Sequence, residues 1–409
     1  MTKAALFVGA TAVVVRLVGQ LALGFYAAPE TWEYSEAAHN IVLGRWLVVD
    51  HNGAVWHAGV LPIYPLMLAA FERLFGGSPI PIGIVQLALG AVLAIAIYSI
   101  GKRLGSGSIG LVAGLGAATH PGLVVYAAKV HSLNLDVALS ALGVQYVLQL
   151  RDRESARTAL ALGLVMGAAA LTRPTVTIAT AVSAFAGVAR RTAWRQWLSA
   201  LCLACVVSFL IVGPWLVRNQ LELGRFAITP TLGESLWRGN SAVSVHGTLA
   251  ASGEALLDAA PEMRNAVWGK SELEQDAIFL AAATEYIRED PPRAVGAFFR
   301  RIVVFWSFGD LSGRWYPGAW LTIYAAYYVT LIALTLVGTA TLLRRGQRRG
   351  VGVLMAALLA TSLAQSVYYV EGRHRWSVEP LLLVLAAAGL VALVNARAWV
   401  KSQASTTAA

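Results

Sequence analysis

Long apolar runs, each closed by a short charged break, set the rhythm of this chain. A helix needs about 20 mostly apolar residues to cross a bilayer. That length rule and the charged breaks predict spans near 4–26, 81–101, 108–128, 132–150, 157–172, 175–189, 197–217, 318–343, 351–370 and 378–396. The pair 157–172 and 175–189 is short and is interrupted by Arg173-Pro174. Two longer segments, 27–80 and 218–317, separate the spans. In the first, Leu66–Gly76 reads as an apolar helix lying in the interface. In the second, helical periodicity runs over Leu273–Ile287, and the Arg-bearing stretch Ala294–Trp306 reads as interfacial or re-entrant, since counting it as a span would invert the basic loops that follow. The first apolar run is too long for a cleavable signal and reads as a retained span.

The pattern therefore predicts an all-α polytopic membrane protein of about ten transmembrane helices, with interfacial helices and a small extracytoplasmic segment. It divides the chain into an N-terminal transmembrane module (1–217, including the loop 27–80), an extracytoplasmic loop (218–317), C-terminal transmembrane helices (318–396) and a cytoplasmic tail (397–409). Composition agrees: 57% of residues are hydrophobic and only 13% are charged, against about 25% in a soluble domain. The net charge of +10 does not indicate nucleic acid, because the basic residues sit in short clusters between apolar runs. With the N-terminus inside, those clusters (Lys102-Arg103, Arg151 with Arg153, Arg190-Arg191 with Arg195, Arg344-Arg345 with Arg348-Arg349, and Arg397 with Lys401) all fall on the inner side. An integral protein of the plasma (inner) membrane follows, with its unusual polar residues on the outer face. Cys202 and Cys205 lie in one apolar run with no accompanying His or second pair, and read as small buried residues.

Three constellations on that outer face carry candidate chemistry. Glu30, Glu33 and Glu36 follow the first span at intervals of three, so on a helix they would share a face. A carboxylate there is costly unless it works, and Glu30 or Glu33 suits a general base toward a hydroxyl. Glu36 reads as a solvated helix start. Next, Lys129, His131, Asn134 and Asp136 stand at the mouth of the fourth span, where Asp136 must be paired or wet. Last, Arg173, Arg218, Arg373 and Arg375 oppose the topological bias, and guanidinium forks fit phosphate oxygens. The plain alternatives are snorkelling to headgroups and ion pairs with Glu371 and Glu379.

The order of these motifs resembles the C-type superfamily of integral membrane glycosyltransferases, in the branch holding protein O-mannosyltransferases and lipid A aminoarabinose transferases. Glu30, Tyr34, Ala38, Asn40 and Gly44 match the acidic first loop; Pro62–Pro65 and Leu74–Gly76 match its Pro-x-Tyr-Pro helix; Asp136 heads the fourth span. Gly163, Gly167, Leu171, Arg173 and Pro174 nearly match a Gly-x-x-x-Gly-x-x-x-Leu-x-Arg-Pro pattern, Pro214–Asn219, Gly224 and Gly233–Asn240 are the most specific match, and Arg373, Arg375 and Pro380 close the series. The likeness covers about residues 1–396. The family's first-loop acid is usually Asp; this chain has only Glu, and spacing to Tyr34 favours Glu30.

The resemblance implies a glycosyltransferase that takes a sugar from a polyprenyl-phosphate donor to a glycan, lipid or protein acceptor hydroxyl, with inversion. Glu30, Asp136 and Glu33 would be catalytic. Arg218, Arg373, Arg375, Arg173 and Lys129 would hold the donor phosphate, and Tyr34, Tyr64, Trp237, Asn240 and His131 the sugar or acceptor. The loop 241–290 would select the acceptor. No definite cofactor is implied; the family is mixed on metal use, which leaves a divalent ion, Mg or Mn, open. Arginines and intramembrane acids would equally serve a transporter or flippase of a lipid-linked anion. That class often shows inverted repeats and midplane charges, and neither is visible here.

Overall fold

The computed structural model describes residues 2–187, 194–244, 253–308 and 318–407, so the basic pair Arg190-Arg191 and part of the loop 241–290 lie outside the described residues. In chain order the helices are α1 (Lys3–Ala22), α2 (Glu33–Val42), α3 (Ile63–Phe75), α4 (Ile80–Leu104), α5 (Gly107–Ala118), α6 (Pro121–Ala127), α7 (Leu133–Asp152), α8 (Ala156–Ala170), α9 (Pro174–Ala186), α10 (Trp194–Leu223), α11 (Leu232–Gly239), α12 (Gly253–Asp258), α13 (Pro261–Val267), α14 (Glu272–Glu289), α15 (Pro291–Trp306), α16 (Gly318–Arg344), α17 (Arg348–Val367), α18 (Gly372–Trp376) and α19 (Glu379–Thr407). One antiparallel hairpin, β1 (Val49–His51) and β2 (Ala54–Trp56), stands between α2 and α3.

All ten expected spans are helical, but not all are spans of full length. Among the described residues, seven helices are long and apolar enough to cross a membrane: α1, α4, α7, α10, α16, α17 and α19. The expected span 108–128 is broken into α5 and α6, bent by 48°. The cause lies in His120-Pro121: the proline has no N–H to continue a helix and disfavours helical backbone in the residue before it. The carbonyls freed at the break still need donors in an apolar setting. α1 supplies them, with Arg16 donating to Ala118 O at 2.8 Å and Ala117 O at 3.2 Å, while Gln20 donates to Ala127 O at the other end of α6 at 2.9 Å. The short pair α8 and α9, of 15 and 13 residues, meets at Arg173-Pro174. α15, of 16 residues, exposes Val295, Phe299 and Val303 on one stripe, as an interfacial helix would.

α16 and α19 cross on bare backbone. A Cβ on Gly338 would stand 1.7 Å from Leu385 O, and one on Gly389 2.2 Å from Leu334 O. Gly338→Val is expected to destabilise the protein by about 1–3 kcal/mol, seen as a lower thermal midpoint in detergent. An unchanged midpoint would mean that the two helices do not approach so closely.

The two ends of the bundle differ in chemistry. At one end the turns after α4 and α7 meet the start of α17: Arg103 pairs with Asp152, Arg151 pairs with Asp152 at 2.9 Å, and Gly350 packs against Leu104 and Arg151. These are the basic clusters assigned above to the inner side. At the other end gather the loop after α1, the start of α7, the α8–α9 turn and α18.

Candidate active site

At that second end His131 is the hub. Its imidazole stands edge-on to Trp32, Tyr34 and Tyr126, with ring centroids 5.3, 5.5 and 5.1 Å away. Leu133 N donates to its Nδ1 at 2.9 Å. Burial, followed by the charges of Arg373, Arg173 and Lys129, holds its pKa well below the ordinary histidine value. His131 is thus a neutral imidazole with its proton on Nε2. Gln86 of α4 fixes the loop, donating to the carbonyls of Lys129 and His131 at 3.2 and 3.1 Å.

Three ion pairs surround this imidazole. Glu30 joins the loop by backbone as well as side chain: Val130 N donates to Glu30 O at 2.9 Å, and Lys129 Nζ stands 2.7 Å from Glu30 Oε2. Asp136, fully buried, accepts from Arg173 Nε at 2.9 Å and from Ser132 Oγ at 3.1 Å, all on Oδ2, and its Oδ1 has no hydrogen-bond partner. Arg373 pairs with Glu371 at 2.6 Å and lies over the Trp32 ring at 5.4 Å. Lys129, in turn, lies over Tyr126 at 5.3 Å.

The sequence expectations fare unevenly against this geometry. Glu30, Glu33 and Glu36 do not share a helix face, because α2 begins only at Glu33. Glu33 is exposed in the first turn, while Glu36 accepts from Asp50 N at 2.7 Å and ties α2 to the hairpin. Tyr34 packs on Tyr64 at 5.2 Å and lies 3.3 Å from Ser132 Oγ. Tyr64 is buried and accepts from Gln86, so it supports the loop and has no surface for a sugar.

Four candidates lie elsewhere. Arg375, two residues from Arg373, turns into the bundle: Nε donates to Glu379 at 3.0 Å, Nη2 to Tyr324 OH at 2.7 Å, and Nη1 to Phe305 O and Ser307 O. Both of its forked edges are thereby engaged, which removes it from phosphate binding. Here the ion-pair alternative holds. Arg218 of α10 donates to His57 O at 2.7 Å and lies over Trp215, outside the His131 group. Trp237 is core, packed on Phe279 at 5.1 Å. Asn240 donates to Leu236 O and Val367 O and accepts from Arg301 at 3.1 Å, so its amide is spent on clamping α11 to α17.

Sequence reasoning missed several supports. Ser132 precedes Asp136 by one helical turn, a spacing that could have disclosed the hydrogen bond. The pair Glu234–Arg238 carries the same one-turn spacing, while Trp32 and Gln86 gave no such signal. Burial alone would raise Glu234, yet Arg238 at 2.6 Å and His51 at 3.1 Å hold it down at about 2. Among the described residues no three His, Cys, Asp or Glu side chains gather around one point. Glu30 and Asp136 are each engaged by a cation, Lys129 and Arg173, and Asp136 keeps Oδ1 without a partner.

Residues 57–217 match the family model described as dolichyl-phosphate-mannose-protein mannosyltransferase. No curated protein matches the sequence. The apo oligosaccharyltransferase of Archaeoglobus fulgidus superposes with a TM-score of 0.61 at 13% identity, over 98% of this chain and 52% of that one. The archaeal oligosaccharyltransferase AglB from the same organism, in complex with an inhibitory peptide and a dolichol-phosphate, gives 0.59 at 13% identity over 98% and 52%. ArnT from Cupriavidus metallidurans bound to undecaprenyl phosphate gives 0.44 at 16% identity over 95% and 78%. The chain spans about half the length of the archaeal enzyme.

Proposed function

We propose, taking as premise that this chain has the fold of the C-type integral membrane glycosyltransferases, that it moves a sugar from a polyprenyl-phosphate donor to an acceptor hydroxyl. The observation that carries the reading is the convergence of three ion pairs, Glu30–Lys129, Asp136–Arg173 and Glu371–Arg373, on the neutral His131 at one end of the bundle. The family description names a mannosyl phospholipid, and the archaeal complex holds a dolichol-phosphate; both support this donor class. The basic turns at the far end favour a cytoplasmic assignment there, which turns the site outward in a plasma (inner) membrane.

In this mechanism Arg173 spends Nε on Asp136 and offers its Nη pair to the donor phosphate, alongside Arg373 and Lys129. Asp136 fixes that arginine rather than touching substrate. The bond between the anomeric carbon and the phosphate oxygen breaks with its electron pair leaving on phosphate, where preorganised cations contribute most. The acceptor oxygen attacks from the opposite side, which inverts the centre, and its proton passes to Glu30 as Lys129 turns toward the phosphate. His131, buried and neutral, holds Trp32, Tyr34 and Tyr126 in place beside these groups without adding charge.

Purified protein given a labelled polyprenyl-phosphate sugar and an acceptor should release free polyprenyl phosphate in step with product. Donor that stays intact under all acceptors would refute the reading. Arg373→Ala should raise the donor KM by roughly 10-fold or more, the range for losing a charged hydrogen bond. An unchanged KM would remove Arg373 from the phosphate.

A further inference from the structure

Arg218 and Glu272 come from distant elements, α10 and the first turn of α14, and grip the same residue. His57 N donates to Glu272 Oε2 at 2.7 Å, and His57 O accepts from Arg218 Nη1 at 2.7 Å. Each charged group spends only half of itself. Arg218 Nη1 also donates to Asn219 Oδ1 at 3.0 Å, but Nε and Nη2, the edge that makes paired hydrogen bonds, are buried without a partner. Glu272 Oε1 is buried and unpartnered as well, and so is Trp56 Nε1 one residue from His57. Buried polar atoms are nearly always satisfied, so several orphans around one residue point to a missing ligand.

We infer that Arg218, Glu272 and His57 form a recognition site for an uncharged, hydroxyl-bearing carbohydrate, which on the transferase reading above is the acceptor glycan. The charge pattern selects this chemistry. An anion would suit the arginine edge but meet Glu272 and the half-exposed Glu222, which stands 3.3 Å from His57 Nδ1. A cation would suit the acids and meet Arg218. A hydroxyl both donates and accepts, and satisfies the two together. The surroundings favour a sugar over a peptide: Trp268, four residues before Glu272, is 54% exposed even with Gly53 of the hairpin turn beside its ring and the Arg264 guanidinium 5.1 Å over it. Such a flat amphipathic face is a platform for a pyranose ring. The position suits an acceptor too. Trp56, Ala58, Trp215 and Leu171 share one apolar cluster with Tyr34, and Leu171 lies two residues from Arg173.

The test is binding, which does not depend on turnover. The full chain in nanodiscs is immobilised and titrated with the neutral glycan fraction of the producing cell's envelope, and separately with an unmodified Ser/Thr-rich peptide. The glycan should bind, and Glu272→Gln, Arg218→Lys and Trp268→Ala should each weaken it about 10-fold. Glu272→Gln keeps the acceptor for His57 N, and Trp268 is exposed, so these two variants stay folded if Arg218→Lys does not. Equal affinity across wild type and variants, absence of glycan binding, or binding of the peptide alone would overturn the inference. Donor cleavage measured on the same preparation separates the two readings: cleavage without glycan binding leaves the transferase and removes this site, while binding without cleavage does the reverse.

Discussion

Glu30→Gln is expected to lower the transfer rate by about 10²–10⁴-fold, the contribution of a positioned general base. The fold should hardly notice. The Glu30 side chain is 53% exposed, and its pair with Lys129 is of the surface kind, worth at most about 1 kcal/mol. The measurement is an initial rate at saturating donor beside a thermal midpoint, with Glu33→Gln as the control that keeps its rate within a few-fold. A rate unaffected in Glu30→Gln and lost in Glu33→Gln would move the proton to the other acid. A rate unaffected in both would remove this loop from the chemistry.

The second large effect is on stability. Asp136 is wholly buried and Arg173 is its ion-pair partner. Arg173→Leu strands a carboxylate in an apolar setting, which costs about 3–5 kcal/mol. Asp136→Leu together with Arg173→Leu removes both charges and is expected to recover most of that loss, since a buried pair replaced by apolar residues is often neutral. Unfolding in detergent measures both. On the proposed mechanism the double variant is expected to stay inactive, because it also lacks the arginine assigned to the donor phosphate. If the single and double variants unfold alike, the pair does not bear on stability as described.

Much of the architecture was readable in the chain because apolar length and charged breaks are enforced by the bilayer. The basic clusters at Lys102-Arg103, Arg151 and Arg348-Arg349 do meet at one end, as the topological argument required. The break at His120-Pro121 had a local signal in its proline that the apolar length rule passed over, whereas its compensation by Arg16, roughly 100 positions away, had none. The hairpin had a local signal: Asn52-Gly53, with φ of 49° and 75°, is a two-residue turn sequence that the apolar pattern masked.

The site was legible by residue type and poorly legible by direction. Arg373 and Arg375 look alike in sequence. On the short α18 they point different ways, one over Trp32 and the other into Glu379, Tyr324 and two carbonyls at the end of α15. Trp237 and Asn240 sit in the most specific motif, yet their work is packing and clamping. The motif marks a structural joint as strongly as it marks chemistry. Only partners fixed at long range could tell these apart.

A density map of the protein with undecaprenyl phosphate would test the convergence itself. The phosphate is predicted to lie within hydrogen-bond distance of Arg173 and Arg373, beside Lys129 and His131. Phosphate held instead at Arg218, or among Arg103, Arg151 and Arg349 at the opposite end, would contradict the account.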